Sequence, residues 1–484
     1  MQKLKVLLIN PPIKPKNPPA NIPLGLACIA GVIDAKGHDV AIFDNNAYRL
    51  SHADVIKQIE GIHWDLISIG SLITTYMWQK KMFCLLRKHF PKATLLAGGG
   101  LATSLQRDLM EWIPELDLLC VGEGERTVTQ ILDNFDSKIW ENVSGIYYRE
   151  KGEIRRTHPQ KLLTEDELSQ LPYPKFDLLP LDIYFKNSGI PLSPEAISSK
   201  RRLSIETSRG CPFQCSFCID LPTGTPRNLE YSNNEDLFVD SFKDRKKVRY
   251  YHPEWVIGLI KHLRIKYAVD FLNFTDENFT INKKYALHFC DNLEKEGLTD
   301  LDPPLYFGTT AHVNTIDKEL LTRMKDVGFS YLDLGLESMN DEILSKDINK
   351  NATSVKNNWA VNELLDAGVY PVTNFLIGLP HECCQSVYDM TKFLKENEIE
   401  CGPFFVTPYP MTGLFEKYKS RIIEEFHDLQ TYVIQCENDV SQDIVVNLSR
   451  YNDAELLGLR QMVINHDLDA IKKFARIKGE HLVE

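Results

Sequence analysis

Cys211, Cys215 and Cys218 stand at C-x3-C-x2-C spacing within Ser208-Arg209-Gly210-Cys211-Pro212-Phe213-Gln214-Cys215-Ser216-Phe217-Cys218. One short loop can aim three thiolates at a single point, and soft thiolates select zinc, copper(I) or iron–sulfur clusters over hard cations. A structural zinc normally takes four protein ligands, whereas a [4Fe–4S] cluster held by three leaves one iron open. From spacing alone, a redox or structural cysteine cluster, or a zinc site completed from elsewhere, stays open beside the iron–sulfur reading. The other cysteines do not compete: Cys28, Cys84, Cys120, Cys290 and Cys401 sit singly in apolar segments, and Cys383, Cys384 and Cys436 lack ligand spacing. They read as small hydrophobes of a reducing compartment, not as a disulfide framework or a second cluster.

A loop of this kind needs a rigid carrier. Residues 203–207 read as a strand running straight into it. Further strand-like runs at 271–275, 305–310, 331–336, 372–377 and 404–407 alternate with helical segments at 254–267, 284–296, 318–327, 352–367 and 385–397. Such repetition predicts a closed or partial β/α barrel with its active site at the carboxyl ends of the strands, where the cysteine loop hangs. Residues 221–248 form a polar insertion ending in Lys243-Asp244-Arg245-Lys246-Lys247. It reads as a solvated loop, or as a lid meeting an acidic substrate or a reductase.

The front of the chain repeats the alternation on a smaller scale, with apolar strands at 5–9, 39–43, 66–69, 93–97 and 116–121 between helical segments. That pattern predicts a doubly wound, Rossmann-like parallel sheet whose ligand sits off the carboxyl edge. The edge carries Asn10-Pro11-Pro12, the loop from Ser71 through Thr74 and Thr75 to Tyr76, Gly98-Gly99-Gly100 and Gly122-Glu123-Gly124-Glu125. Consecutive glycines let backbone approach a large flat ligand, although each loop taken singly is also an ordinary strand-to-helix turn. A hairpin at 143–149 and 153–157 follows, then a proline-spaced linker to about residue 200. The expected units are 1–150, a linker at 151–200, a barrel at 201–412 and a helical C-terminal region at 413–484.

Glu206-Thr207-Ser208-Arg209-Gly210-Cys211-Pro212-Phe213-Gln214-Cys215-Ser216-Phe217-Cys218 resembles the signature of the radical S-adenosylmethionine (SAM) superfamily. The front loops, together with Pro23-Leu24-Gly25-Leu26 and Gly37-His38-Asp39-Val40, resemble the cobalamin-binding domain of one class of these enzymes. The resemblance implies three cofactors: a [4Fe–4S] cluster on Cys211, Cys215 and Cys218, SAM on its open iron, and cobalamin on the front edge. It implies adenine contacts from Phe217 and Ile219, and ribose or methionine contacts from Glu277, Glu337, Ser338 and Ile377. Glu277, Glu337 and Ser338 equally suit helix caps or structural hydrogen bonds. Corrin contacts would come from Asn10, Pro11, Pro12, Leu24, Gly25, the loop from Ser71 to Tyr76, and the two glycine loops. The D-x-H-x-x-G motif that supplies a lower-face histidine is absent, and no side chain of Ser71–Tyr76 is a good cobalt ligand.

The implied activity is reductive cleavage of SAM to a 5′-deoxyadenosyl radical, with methylation of an unactivated carbon or phosphorus of a small molecule. A non-methylating rearrangement, ring contraction or cyclisation is the alternative, and a non-catalytic corrinoid- or metal-binding protein a third. An electron donor such as flavodoxin or ferredoxin is the implied partner. The chain has 484 residues, 43% of them hydrophobic, and a net charge of −12, so no overall basic field draws it to nucleic acid. The first residues lack a signal-peptide core and no run of 18 apolar residues occurs, so a cytoplasmic enzyme without membrane contact is expected.

Overall fold

The computed structural model describes residues 3–14, 16–187, 193–218, 247–437 and 442–483. The apolar run after Leu4 forms β1 (Lys5–Asn10), five of its six residues buried. It is followed by β2 (Asp39–Asp44), β3 (Leu66–Gly70), β4 (Thr94–Gly98), β5 (Leu118–Cys120), β6 (Ile146–Glu150) and β7 (Glu153–Arg156). Their order across the sheet is β2-β1-β3-β4-β5-β6-β7. β1 to β5 pair in parallel, and β6 and β7 join as an antiparallel edge. The hairpin expected at 143–149 and 153–157 is therefore part of this sheet, which runs to Arg156. β5 spans only Leu118–Cys120 of the run expected at 116–121. The first helix, Leu24–Ala35, stops at Gly37, whose φ of +84° suits a left-handed turn that glycine adopts without strain.

The second sheet holds β8 (Arg202–Ile205), β11 (Phe271–Phe274), β12 (Tyr306–Ala311), β13 (Phe329–Glu337), β14 (Tyr370–Ile377) and β15 (Phe404–Phe405). All are parallel, in the order β15-β14-β13-β12-β11-β8. β8 and β15 do not pair, so this is a partial barrel. β9 (Ser208–Arg209) and β10 (Arg249–Tyr250) form a small antiparallel pair at its mouth. Alternation along the strands sends Leu203, Ile205, Leu272, Phe274, Leu334 and Phe375 into the core beneath the helices. Phe274 anchors that core, with ring centroids 5.4–5.6 Å from Phe279, Phe289, Phe307 and Phe329.

The proline-spaced segment straps the two sheets together. Lys175 N donates to Ala27 O of the front helix, and Trp255 Nε1 of the barrel donates to Leu171 O. Of the C-terminal helices, Gly413–Phe426 and Leu429–Gln435 pack beside the cysteine loop and the front sheet. Asp453–Ile464 and Leu468–Lys478 lie on the outer barrel helix Cys384–Glu396. No helix among the described residues is long and apolar enough to cross a membrane.

Candidate functional site

The cysteine loop is pinned by the ends of the neighbouring strands. Thr207 N and Ser208 Oγ donate to the two carboxylate oxygens of Asp276 beyond β11, at 2.7 and 2.6 Å. Burial pushes the Asp276 carboxyl up to about 6 against these hydrogen bonds. Gly210 N donates to Glu277 Oε2 at 3.0 Å, with Gly210 at φ +95°. Beyond β12, the His312 imidazole stacks on the Phe213 ring with centroids 3.6 Å apart. Beyond β13, the carbonyls of Asp347 and Ile348 accept from Ser216 Oγ and N, and Asn349 Nδ2 donates to Gln214 O. Leu414 N closes the ring by donating to Ser216 O at 2.7 Å.

Within this frame Cys215 is buried, while Cys211, Phe217 and Cys218 are half-buried; Ile219 lies outside the described residues, as does most of the 221–248 insertion. Among the described residues no three His, Cys, Asp or Glu side chains stand preassembled around a metal position. The donor set nonetheless fits an iron–sulfur cluster: three thiols on one braced loop, walled by apolar side chains such as Ile343, Leu379 and Leu414. A buried lysine, Lys350, joins them. Its ammonium lies 3.2 Å from Glu337 Oε1, and both residues are almost fully buried. Burial disfavours the ammonium, but Glu337 and the sulfurs of Cys215 and Cys218 outweigh it and raise its pKa.

On the front edge Gly25 and Gly99 are exposed, and Pro12, Leu24, Ser71, Thr74, Gly98, Gly100, Gly122 and Gly124 half-exposed. Gly99 has φ +74°, and a Cβ there would stand 2.9 Å from Ser71 N. Ser71 Oγ is buried without a hydrogen-bond partner, a polar atom left over at the edge. A flat, amide-rimmed corrin fits this low glycine surface and the orphaned hydroxyl.

Several side chains expected to meet cofactors are occupied elsewhere. Asn10 is buried and donates to Asp44 Oδ1 at 2.8 Å, and Pro11 is buried beside it. Thr75 and Tyr76 are buried; Thr75 Oγ1 donates to Leu72 O, and Tyr76 OH accepts from Gln430. Ile377 faces the helices because its place in β14 alternates with the concave side. Ser338 Oγ accepts from Asn340 N, the structural role that competed with a SAM contact.

Glu123 and Glu125 are the largest departure. Arg209, two residues before Cys211, places Nη2 at 2.7 Å from Glu125 Oε1, Nη1 at 3.4 Å from Glu123 Oε1 and Nε at 2.7 Å from Glu206 Oε2. Arg249 adds Nη2 at 2.7 Å from Glu123 Oε1. Arg209, Arg249, Glu123 and Glu125 are all buried, so both glutamates serve a junction between the sheets and neither faces an open edge. Unmatched acids in Gly122-Glu123-Gly124-Glu125 and the arginine before the first cysteine are the sequence signal for this pairing. Lys350 and His312 carried none, because each follows a strand end in a segment without period.

Two family models divide the chain along the same lines. The B12 binding domain matches residues 19–132, and the radical SAM superfamily matches residues 205–394. The chain carries a radical SAM domain with a B12-binding domain in front of it. The chain is similar to an uncharacterized methyltransferase of Pyrococcus horikoshii, 29% identical over 86% of this chain and 83% of that one. It is also similar to the anaerobic magnesium-protoporphyrin IX monomethyl ester cyclase of Cereibacter sphaeroides, 23% identical over 85% of this chain and 62% of that one. Among solved structures, the radical SAM methyltransferase TsrM of Kitasatospora setae superposes with a TM-score of 0.69. It is 15% identical and the match covers 87% of this chain and 79% of that one.

The concave face of the radical SAM domain is polar. Ser204, Asn273, Thr310, Asp333 and Asn374 alternate with the core residues and are half-buried. Phe271 and Tyr331, stacked with centroids 5.8 Å apart, close its lower end, where Tyr331 OH donates to Asn273 Oδ1 at 2.6 Å. Gly308 makes room for them, since a Cβ there would stand 2.0 Å from the Tyr331 ring. Asn374 Nδ2 donates to Asp333 Oδ1 at 2.5 Å. Burial, then the nearby Glu337 charge, push the Asp333 carboxyl up to about 6.

Proposed function

We propose that this radical SAM enzyme methylates an unactivated carbon or phosphorus of a small-molecule substrate held against the polar concave face. When bound, the cluster and SAM supply a 5′-deoxyadenosyl radical, and cobalamin supplies a methyl carrier. Cys211, Cys215 and Cys218 would hold the cluster, with Phe217 beside the adenine. Gly25, Ser71, Thr74, Gly98, Gly99, Gly100 and Gly122 would seat the corrin on the front edge, chiefly through backbone. Thr310, Asp333 and Asn374 would orient substrate, and the Phe271–Tyr331 plug would keep water from the lower end. A low-potential one-electron donor such as flavodoxin or ferredoxin would reduce the cluster.

The observation that carries this reading is the Arg209 junction. It ties the start of the cysteine loop to the last loop of the B12-binding sheet through buried ion pairs, so the two candidate cofactor surfaces belong to one interface. Transfer between two cofactors needs such fixed proximity. The likeness to the P. horikoshii methyltransferase supports methylation; the likeness to the C. sphaeroides cyclase supports the alternative, a cobalamin-dependent cyclisation or rearrangement without methyl transfer.

Anaerobic reconstitution with iron, sulfide, cobalamin, SAM and a strong reductant tests the reading. The expected product is 5′-deoxyadenosine, with label from the SAM methyl group appearing in the substrate. Turnover without label would replace methylation by rearrangement, and absence of 5′-deoxyadenosine would overturn both. Cys211→Ala, Cys215→Ala and Cys218→Ala should each abolish the iron–sulfur chromophore; full colour in any one of them removes that cysteine from the ligand set.

A further inference from the structure

Lys350 is set with unusual care for a lysine that a simple surface ion pair would satisfy. It is 4% exposed, and an ammonium at that depth is costly to bury unless its charge is compensated. Glu337 reaches it from the end of β13 only through two departures from regular strand geometry. The register with β14 shifts between Gly335 and Glu337, and Glu337 itself sits at φ +63°, a region non-glycine residues seldom adopt. Gly335 supplies the space: a Cβ there would stand 2.3 Å from Glu337 Oε1 and 3.1 Å from Lys350 Nζ.

The backbone of Lys350 is fixed to the cysteine loop independently of that ion pair. His312 Nδ1 accepts from Asn314 N at 3.1 Å, which leaves Nε2 as the protonated nitrogen, donating to the Lys350 carbonyl at 3.2 Å. Burial and the Lys350 charge push His312 down to about 3, so the imidazole is neutral and keeps that tautomer near neutral pH. Its face carries the Phe213 ring, and Ile348 O holds Ser216 N at 2.7 Å. Cys215 and Cys218, on either side of Ser216, are both within electrostatic reach of the Lys350 ammonium.

We propose that Lys350 is a built-in counter-charge for the iron–sulfur cluster, raising its midpoint potential and so easing reduction ahead of SAM cleavage. The inference rests on the cluster assignment above. Reduction adds one negative charge to the cluster, and a fixed cation in a buried, weakly screened environment stabilises that form more than the oxidised one. Glu337 opposes the effect while keeping the lysine in place. Lys350 is thus a positioning residue of charge, acting through the cluster without taking part in bond making.

The test is a redox titration of the reconstituted protein without SAM or substrate, read by the electron paramagnetic resonance signal of the reduced cluster. At the wild-type midpoint, Lys350→Met should shift the oxidised-to-reduced ratio about tenfold toward oxidised, which for a one-electron couple is 59 mV. Glu337→Gln should shift it the opposite way, and Lys350→Arg should stay near wild type. If Lys350→Met fails to load a cluster, the sign of the Glu337→Gln shift decides alone. An unchanged potential in both charge-removing variants, or shifts of the same sign, overturns the counter-charge. The wild-type chromophore and 5′-deoxyadenosine assays judge the proposed function separately, so the two failures are distinguishable.

Discussion

Asp333, on the concave face, holds its carboxyl at a cost to stability. Its carboxyl is half-buried, hydrogen-bonded by Asn374, and among the described residues it has no cationic partner. Burial raises its pKa from 3.8 to about 6, so the folded protein binds this proton more tightly than the unfolded chain does. The consequence has a definite sign. Between pH 4 and 6 the folded state holds more protons than the unfolded state, and stability falls as pH rises through that window. Asp333→Asn keeps an oxygen for Asn374 and removes the ionisation. The variant should be more stable than the parent by at most roughly 3 kcal/mol above pH 7, converging with it below pH 4. Thermal melts of both proteins across pH 4 to 8 measure this; parallel curves would mean that Asp333 ionises in the fold as freely as in water. The same variant should impair substrate turnover if the carboxylate meets substrate, separating what the residue does for the fold from what it does for the reaction.

At the scale of elements, glycine shapes the two ends of the front sheet in different ways. Gly37 and Gly99 both have positive φ, but a Cβ at Gly37 meets nothing within 4 Å, whereas one at Gly99 would stand 2.9 and 3.1 Å from Ser71 N and O. Gly37→Ala should therefore cost only the backbone preference, about 1 kcal/mol. Gly99→Ala adds a backbone clash between the turns after β3 and β4, and should cost about 2–4 kcal/mol while weakening cobalamin binding. Denaturant melts and cobalamin retention on gel filtration compare the two; equal losses would show that the close approach of these turns is dispensable. The strands themselves were legible because buried parallel strands are continuous apolar runs: β1, β3, β11 and β14 lie within a residue or two of their expected bounds. The cysteine loop stood out by its spacing, which by itself left a zinc or redox cluster open beside the iron–sulfur reading. Tyr76 and Ile377 were not legible, because a position at a strand end does not reveal which way the side chain turns. Pairings distant in sequence were equally hidden: Asp276 with Thr207 and Ser208, Lys350 with Glu337, and Arg209 with Glu125 join strand ends or domains that only the fold brings together.

Across the whole molecule, the B12-binding sheet and the radical SAM barrel are joined by a cluster of buried charges. Arg209 and Arg249 offer two guanidinium groups to Glu123, Glu125 and Glu206, with Tyr251 OH accepting from Arg209 Nη2 at 3.0 Å and Leu163 O from Arg249 Nη1 at 2.8 Å. Burial pushes the Glu125 carboxyl up, but Arg209 outweighs it and holds the group below its usual range. The pair's contribution is therefore fully present above about pH 4.5 and is lost as pH falls through the lowered value. A buried pair adds little over a well-packed apolar contact, but removing one partner strands the other charge, typically at about 3–5 kcal/mol. Arg209→Met leaves Glu125 and Glu206 in that condition, at the first residue that couples the cysteine loop to the front sheet. The expected outcome is a calorimetric trace that separates into two transitions. The reconstituted variant should still cleave SAM while transferring fewer methyl groups per 5′-deoxyadenosine, because spacing between the cofactor surfaces is loosened without touching the cysteines. Glu125→Gln in the Arg209→Met background should recover part of the stability by removing the stranded charge, a coupling of at least 1 kcal/mol in a double-mutant cycle. Additive losses would mean that the two sheets are held by the proline-rich strap and the C-terminal helices, and that the arginine merely fills space between them.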